Sequence, residues 1–131
     1  MNDCIFCKII KGEIPSYKIY EDESFISFLD INPVSKGHAL IIPKSHIEWM
    51  HEADDSLIKE IFVLTKKMML NIKEKLPCDY VQIGVVGKDV PHFHVHLIPR
   101  SLEEAVTQTT RPHAPYMSQE EIDEIVNKIK M

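Results

Sequence analysis

Three histidines stand at alternate positions of the segment "PHFHVHLIPR": His92, His94 and His96. They are three of seven histidines in a chain of 131 residues. If the segment is a strand, successive side chains point to opposite faces. His92, His94, His96 and Ile98 then share one face, and Phe93, Val95 and Leu97 the other. At about 3.3 Å rise per residue, neighbouring imidazoles lie roughly 6.6 Å apart along an open face. Three readings compete at this point. The ladder is a solvated face that carries histidines by accident. It is a metal site, because His-x-His on a strand suits zinc. Or it does phosphate chemistry, because neutral imidazole is a nucleophile near pH 7 and imidazolium a proton donor.

The remainder of the chain must hold that ladder in place. The first third reads as a short helix in "CIFCKIIKGE" ending at Gly12, then strands in "YKIYE" and "SFISFLD" with a turn at "DES" between them. "DINPVSKG" is turn chemistry, and "HALIIP" is a third strand stopped by Pro43. From about Asp54 to Leu76, apolar residues recur at helical spacing: Leu57, Ile58, Ile61, Leu64, Met68, Ile72 and Leu76. Asp54 or Asp55 can cap this long helix, and Phe62 and Met69 widen its apolar face. "YVQIGVV" and "HFHVHLIP" are the fourth and fifth strands, and Ser118 with Glu121 forms a capping box before a final helix. Strands and helices do not alternate regularly, which favours an α+β fold with an antiparallel sheet.

Composition narrows the function classes. The chain is 44% hydrophobic and 27% charged, which fits one globular domain over 1–131. A formal charge of −5 argues against a nucleic-acid partner. No apolar run is long enough to span a membrane, and the start "MNDCIFCKII" has an acid rather than a base ahead of its apolar run. Three cysteines are too few and too odd for a disulfide framework, so a reducing cytoplasm is expected.

The pattern His-φ-His-φ-His-φ-φ in "HFHVHLI", with φ apolar, resembles the signature of the histidine triad (HIT) family. "CIFCKIIKGEIPSYKIYEDE", "FISFLDINPVSKGHALIIPKSH" and the long helix resemble the family too, so the likeness covers about residues 1–100. The chain is most similar to the nucleotide-binding, adenosine phosphoramidase-like branch in its bacterial form. That resemblance implies a five-stranded antiparallel sheet with one long helix, a short N-terminal helix and a C-terminal helix, and pairing into a homodimer. It implies that His94 attacks the α-phosphorus of a purine nucleotide conjugate, that His96 contacts the phosphate and helps protonate the leaving group, and that His38 lies beside them. By the same likeness Asp30 takes the ribose hydroxyls, and Ile5, Phe6, Ile9, Phe28, Ile31 and Leu40 wall the base. Read from residues alone, His38 is also a plain strand-end histidine, Asp30 a turn cap, and the apolar set plain core.

Cys4 and Cys7 form a C-x-x-C, a weak signal by itself that is equally two buried apolar cysteines. Relatives with this early motif resemble the chain at His46 and His92 as well, which implies a structural zinc on Cys4, Cys7, His46 and His92. Cys78, His51 and His113 take no role. The chain departs from the family in "IGVVGKDVPH": Lys88 and Asp89 stand where relatives carry Gln and a hydroxyl residue. An ionised Asp89 accepts hydrogen bonds but donates none, and it opposes a phosphate. The expected function is hydrolysis of purine nucleoside phosphoramidates or related conjugates through a nucleotidyl-histidine. A dinucleoside polyphosphate hydrolase, and a zinc-stabilised nucleotide-binding protein with little turnover, are the alternatives.

Overall fold

The computed structural model describes residues 4–102, 116 and 118–131. His113 and most of the segment between Leu102 and Ser118 lie outside them. The elements run α1 (Ile5–Ile10), β1 (Lys18–Glu21), β2 (Phe25–Leu29), β3 (Ala39–Pro43), a 3-10 turn (Met50–Glu52), α2 (Asp55–Lys75), β4 (Tyr80–Gly84), β5 (Val95–Arg100) and α3 (Gln119–Ile129). The strands form one antiparallel sheet in the order β1-β2-β3-β5-β4, an α+β fold as expected.

Every residue of β2 and β3 is buried, because helices cover both faces of the sheet. On one face Phe25, Leu29, Ala39, Ile41, Val95 and Leu97 meet Ile61, Leu64, Met68 and Ile72 of α2. On the other face Ile26, Phe28, Leu40 and Ile42 meet Cys4 and Phe6 at α1. Asp54 caps α2, its Oδ1 accepting from Leu57 N–H at 2.8 Å. The "DES" turn closes on Asp22, whose Oδ1 accepts from the N–H groups of Ser24 and Phe25. Ser118 caps α3 by accepting from Glu121 N–H. α3 is anchored further by Asn71, which donates to Ile129 C=O, and by the ion pair of Lys36 with Glu121.

Two expectations about the histidine ladder need correction. The fifth strand begins at Val95, so His92 and His94 precede it. Their stretch leaves the ladder because its amides are taken elsewhere: His92 N–H donates to Val90 C=O and Phe93 N–H to Ile47 C=O. The histidine face is also not open. α1 lies over it, and His92 and His94 are buried. The opposite face behaves as expected, with Phe93, Val95 and Leu97 in the core beneath α2.

Candidate active site

Register sets one wall of the site. Phe28 pairs with Leu40, and Leu40 with His96, so these three side chains form a row across β2, β3 and β5. α1 closes over the row. It has six residues, too short to hold as an isolated helix in water, so its docking on the sheet must stabilise it. Cys4 Sγ caps it by accepting from Cys7 N–H at 3.3 Å. Gly12 ends it at φ 79°, a conformation that glycine adopts without the clash a Cβ brings. Phe6 then stands edge-on against His94, with ring centroids 5.1 Å apart, and against Phe28 at 5.6 Å.

A cavity of about 320 Å³ remains between α1 and the sheet. Its lining includes all eight residues expected around a nucleotide, namely Ile5, Phe6, Ile9, Phe28, Asp30, Ile31, Leu40 and Asp89, together with His94 and His96. Ile14, Pro15, Ser16, Leu29, Asn32 and Val90 also line it and were not anticipated. Asn32 had a signal in its Asp-x-Asn spacing: Asp30 Oδ1 accepts from Asn32 N–H at 2.9 Å. Ile14–Ser16 had none, because their place depends on the turn after α1. Lys88 is exposed and outside the lining, and His51 is exposed on the 3-10 turn.

Hydrogen bonds decide which ring nitrogen can act. His94 Nδ1 lies 2.7 Å from His92 C=O, an acceptor only, so Nδ1 carries the proton. Nε2 of His94 is then the basic nitrogen. Burial holds its pKa below the usual range despite the carbonyl and the carboxylates of Asp30 and Asp89, so the ring is neutral at pH 7. Val34 N–H donates to His38 Nδ1 at 3.0 Å, which puts the proton of a neutral His38 on Nε2. That Nε2–H donates to His96 Nδ1 at 2.9 Å, and Asp30 Oδ2 lies 3.7 Å from it. The proton of a neutral His96 therefore sits on Nε2. Burial, then the neighbouring His94, depresses the His96 pKa to about 4. Asp30, His38 and His96 lie close enough to suggest a cation site. The Val34 contact argues otherwise, because it fixes a proton where the ion would bind.

A second cluster lies behind the first. One ligand atom each from Cys4, Cys7, His46 and His92 falls within 4.8 Å of all the others. His92 Nδ1 is 3.3 Å from Cys4 Sγ and 3.6 Å from Cys7 Sγ, and His46 Nδ1 is 3.2 Å from Cys7 Sγ. Zinc bonds of about 2.3 Å to sulfur and 2.0–2.1 Å to nitrogen give tetrahedral sulfur–nitrogen edges of about 3.6 Å. The three separations match that edge within a few tenths of an ångström. The tautomer fits too. His92 Nε2–H donates to Pro43 C=O at 2.8 Å, which turns the Nδ1 lone pair toward the sulfurs. The four residues thus fit a closed zinc site, with His92 joining it to the His94 backbone contact.

An antiparallel five-stranded sheet with buried alternate histidines beside a small apolar cavity defines the histidine triad class. A HIT domain model matches residues 11–103, and the chain belongs to that family. Protein hit of Bacillus subtilis is 45% identical over 107 residues, 75% of this chain and 71% of that protein. Adenosine 5'-monophosphoramidase hnt1 of Schizosaccharomyces pombe is 43% identical over 135 residues, 97% of this chain and 98% of that protein. Among solved structures, a Zn-bound histidine triad family protein from Mycobacterium smegmatis superposes with a TM-score of 0.83. It is 26% identical, and the match covers 98% of this chain and 94% of that one.

Proposed function

We propose that this HIT-family hydrolase cleaves purine nucleoside phosphoramidates, or related nucleoside monophosphate conjugates, through a nucleotidyl-His94 intermediate. One observation carries this reading: His94 Nδ1–H donates a hydrogen bond to the His92 carbonyl, leaving Nε2 as the nucleophilic nitrogen of a neutral ring that lines the cavity beside His96. The resemblance to a full-length adenosine 5'-monophosphoramidase supports the substrate class. The base lies against Ile5, Phe6, Ile9, Phe28, Ile31 and Leu40, and Asp30 takes the ribose hydroxyls.

In the first step the His94 Nε2 lone pair forms a bond to phosphorus and the P–N bond breaks. The departing nitrogen keeps that electron pair and takes a proton from His96. His96 is neutral in the free protein at pH 7. An anionic phosphate beside it favours its charged form; the added proton sits on Nδ1 while His38 Nε2–H turns to Asp30 Oδ2, 3.7 Å away in the free protein, so the acid arises as the substrate binds. Water then attacks phosphorus, His96 takes its proton, and neutral His94 leaves. Splitting one barrier in two is the gain of a covalent route. Zinc on Cys4, Cys7, His46 and His92 supplies a cross-link and takes no part in the chemistry.

His94→Ala should fold and bind AMP but lose phosphoramidate kcat/KM by about a thousandfold or more. Activity within about tenfold of the wild type would remove the mechanism. His51→Ala, on the exposed turn, is the matched control and should be nearly silent. The same reading has the chain as a cytoplasmic homodimer. Exposed Val63 and Leu70 on α2, and Val85 and Val86 after the edge strand β4, support a partner surface. Among the described residues no helix is long and apolar enough to cross a membrane.

A further inference from the structure

The cavity that holds His94 and His96 is lined by two carboxylates, Asp30 and Asp89, and by no lysine or arginine among the described residues. A phosphate bound there meets the His94 ring and a His96 ring that its own charge helps to protonate, and each further negative charge on the ligand meets two acids. Asp30 Oδ1 accepts from Asn32 N–H, and Oδ2 lies 3.7 Å from His38 Nε2. Asp89 is exposed, and among the described residues no hydrogen bond or salt bridge is made to it.

Two backbone features shape the loop that carries Asp89. Gly87 adopts φ 76°, and a Cβ there would lie 3.2 Å from the Trp49 ring. Just after Asp89, Val90 C=O accepts from His92 N–H at 2.8 Å. Asp89 is thereby carried into the cavity lining, alongside His94 and His96. In an in-line displacement the leaving group departs on the side of phosphorus opposite the nucleophile. With Asp30 given to the ribose and His94 to phosphorus, Asp89 is the remaining charged group in the lining for a leaving group to meet.

We propose that Asp89 is the specificity-determining residue of this site, selecting nucleoside monophosphate conjugates whose departing amine carries a positive charge and rejecting anionic leaving groups. This rests on the proposed function and names its substrate class more closely. A dinucleoside polyphosphate, whose leaving group is itself a nucleotide, is then a poor substrate.

The test uses three adenosine 5'-phosphoramidates of matched length, made from butane-1,4-diamine, butylamine and 4-aminobutyrate. Their leaving groups are cationic, neutral and anionic. The wild type should rank them in that order by kcat/KM. In Asp89→Asn the cationic-to-anionic ratio should fall about tenfold, which corresponds to about 1.4 kcal/mol, and Asp89→Glu should retain it. High salt should shrink the wild-type ratio toward that of Asp89→Asn. Because the ratio is internal to each protein, a partly unfolded variant does not distort it. An unchanged ratio in Asp89→Asn, or equal losses on all three substrates, would overturn the assignment. Hydrolysis of none of the three by the wild type would remove the proposed function, and this inference with it.

Discussion

At the scale of single residues, the site is an ordering of protons. The chain Val34 N–H, His38, His96 fixes two tautomers in series, and His92 C=O fixes a third at His94. The sequence displayed the histidines and their spacing. It could not display these partners, because the fixing groups are main-chain atoms whose positions follow from tertiary structure. The burial that keeps His96 neutral has a consequence for stability. Its folded pKa of about 4 lies below the ordinary histidine value of 6.5. Between those values the unfolded chain binds a proton that the folded chain refuses. Stability from this group is therefore fully present above pH 6.5 and is lost as pH falls toward 4. From pH 7.5 to pH 5 the loss should be about 2 kcal/mol. Urea unfolding at both pH values, with zinc in excess, should give a steeper loss for the wild type than for His96→Asn. Equal losses would mean that His96 is protonated in the folded state.

At the scale of elements, α1 carries the most for its length. It brings Cys4 and Cys7 to the cluster with His46 and His92, and Ile5, Phe6 and Ile9 to the cavity, so one six-residue helix couples the two. Metal binding there should act as folding energy, since the ligands are not preassembled in the unfolded chain. At free zinc a thousandfold above Kd, the bound ion stabilises by about 4 kcal/mol. Metal analysis should find one zinc per chain. A strong chelator should lower the unfolding midpoint of the wild type and leave His46→Ala unmoved, because exposed His46 contributes little packing. A wild type indifferent to chelation would contradict the zinc site. The long helix was legible from its spacing and its Asp54 cap, and the antiparallel sheet from the irregular mixing of strands and helices. The start of β5 was not, because alternating residues read as strand whether or not their amides find a ladder partner. Nor was the cover over the histidines. A helix of six residues has too few turns for its spacing to show which face it docks.

At the scale of the whole molecule, two covered sheet faces divide the labour. The α2 side holds the main core, and the α1 side holds a smaller core that opens into the cavity. Family membership joins that architecture to relatives that include adenosine 5'-monophosphoramidases. The covalent step proposed at His94 is where fold, tautomer and cavity meet, and it can be isolated chemically. The p-nitrophenyl ester of AMP has a leaving group that needs no proton. In His96→Asn, attack by His94 should proceed on this ester while hydrolysis of the adduct, deprived of its base, slows. The most direct measurement is the nitrophenolate burst of His96→Asn, followed by alkaline quenching and peptide mass analysis. A burst of about one equivalent per site, with AMP attached to the His94 ring, is the expected result. Steady hydrolysis with no burst, or AMP attached at any other residue, would contradict it.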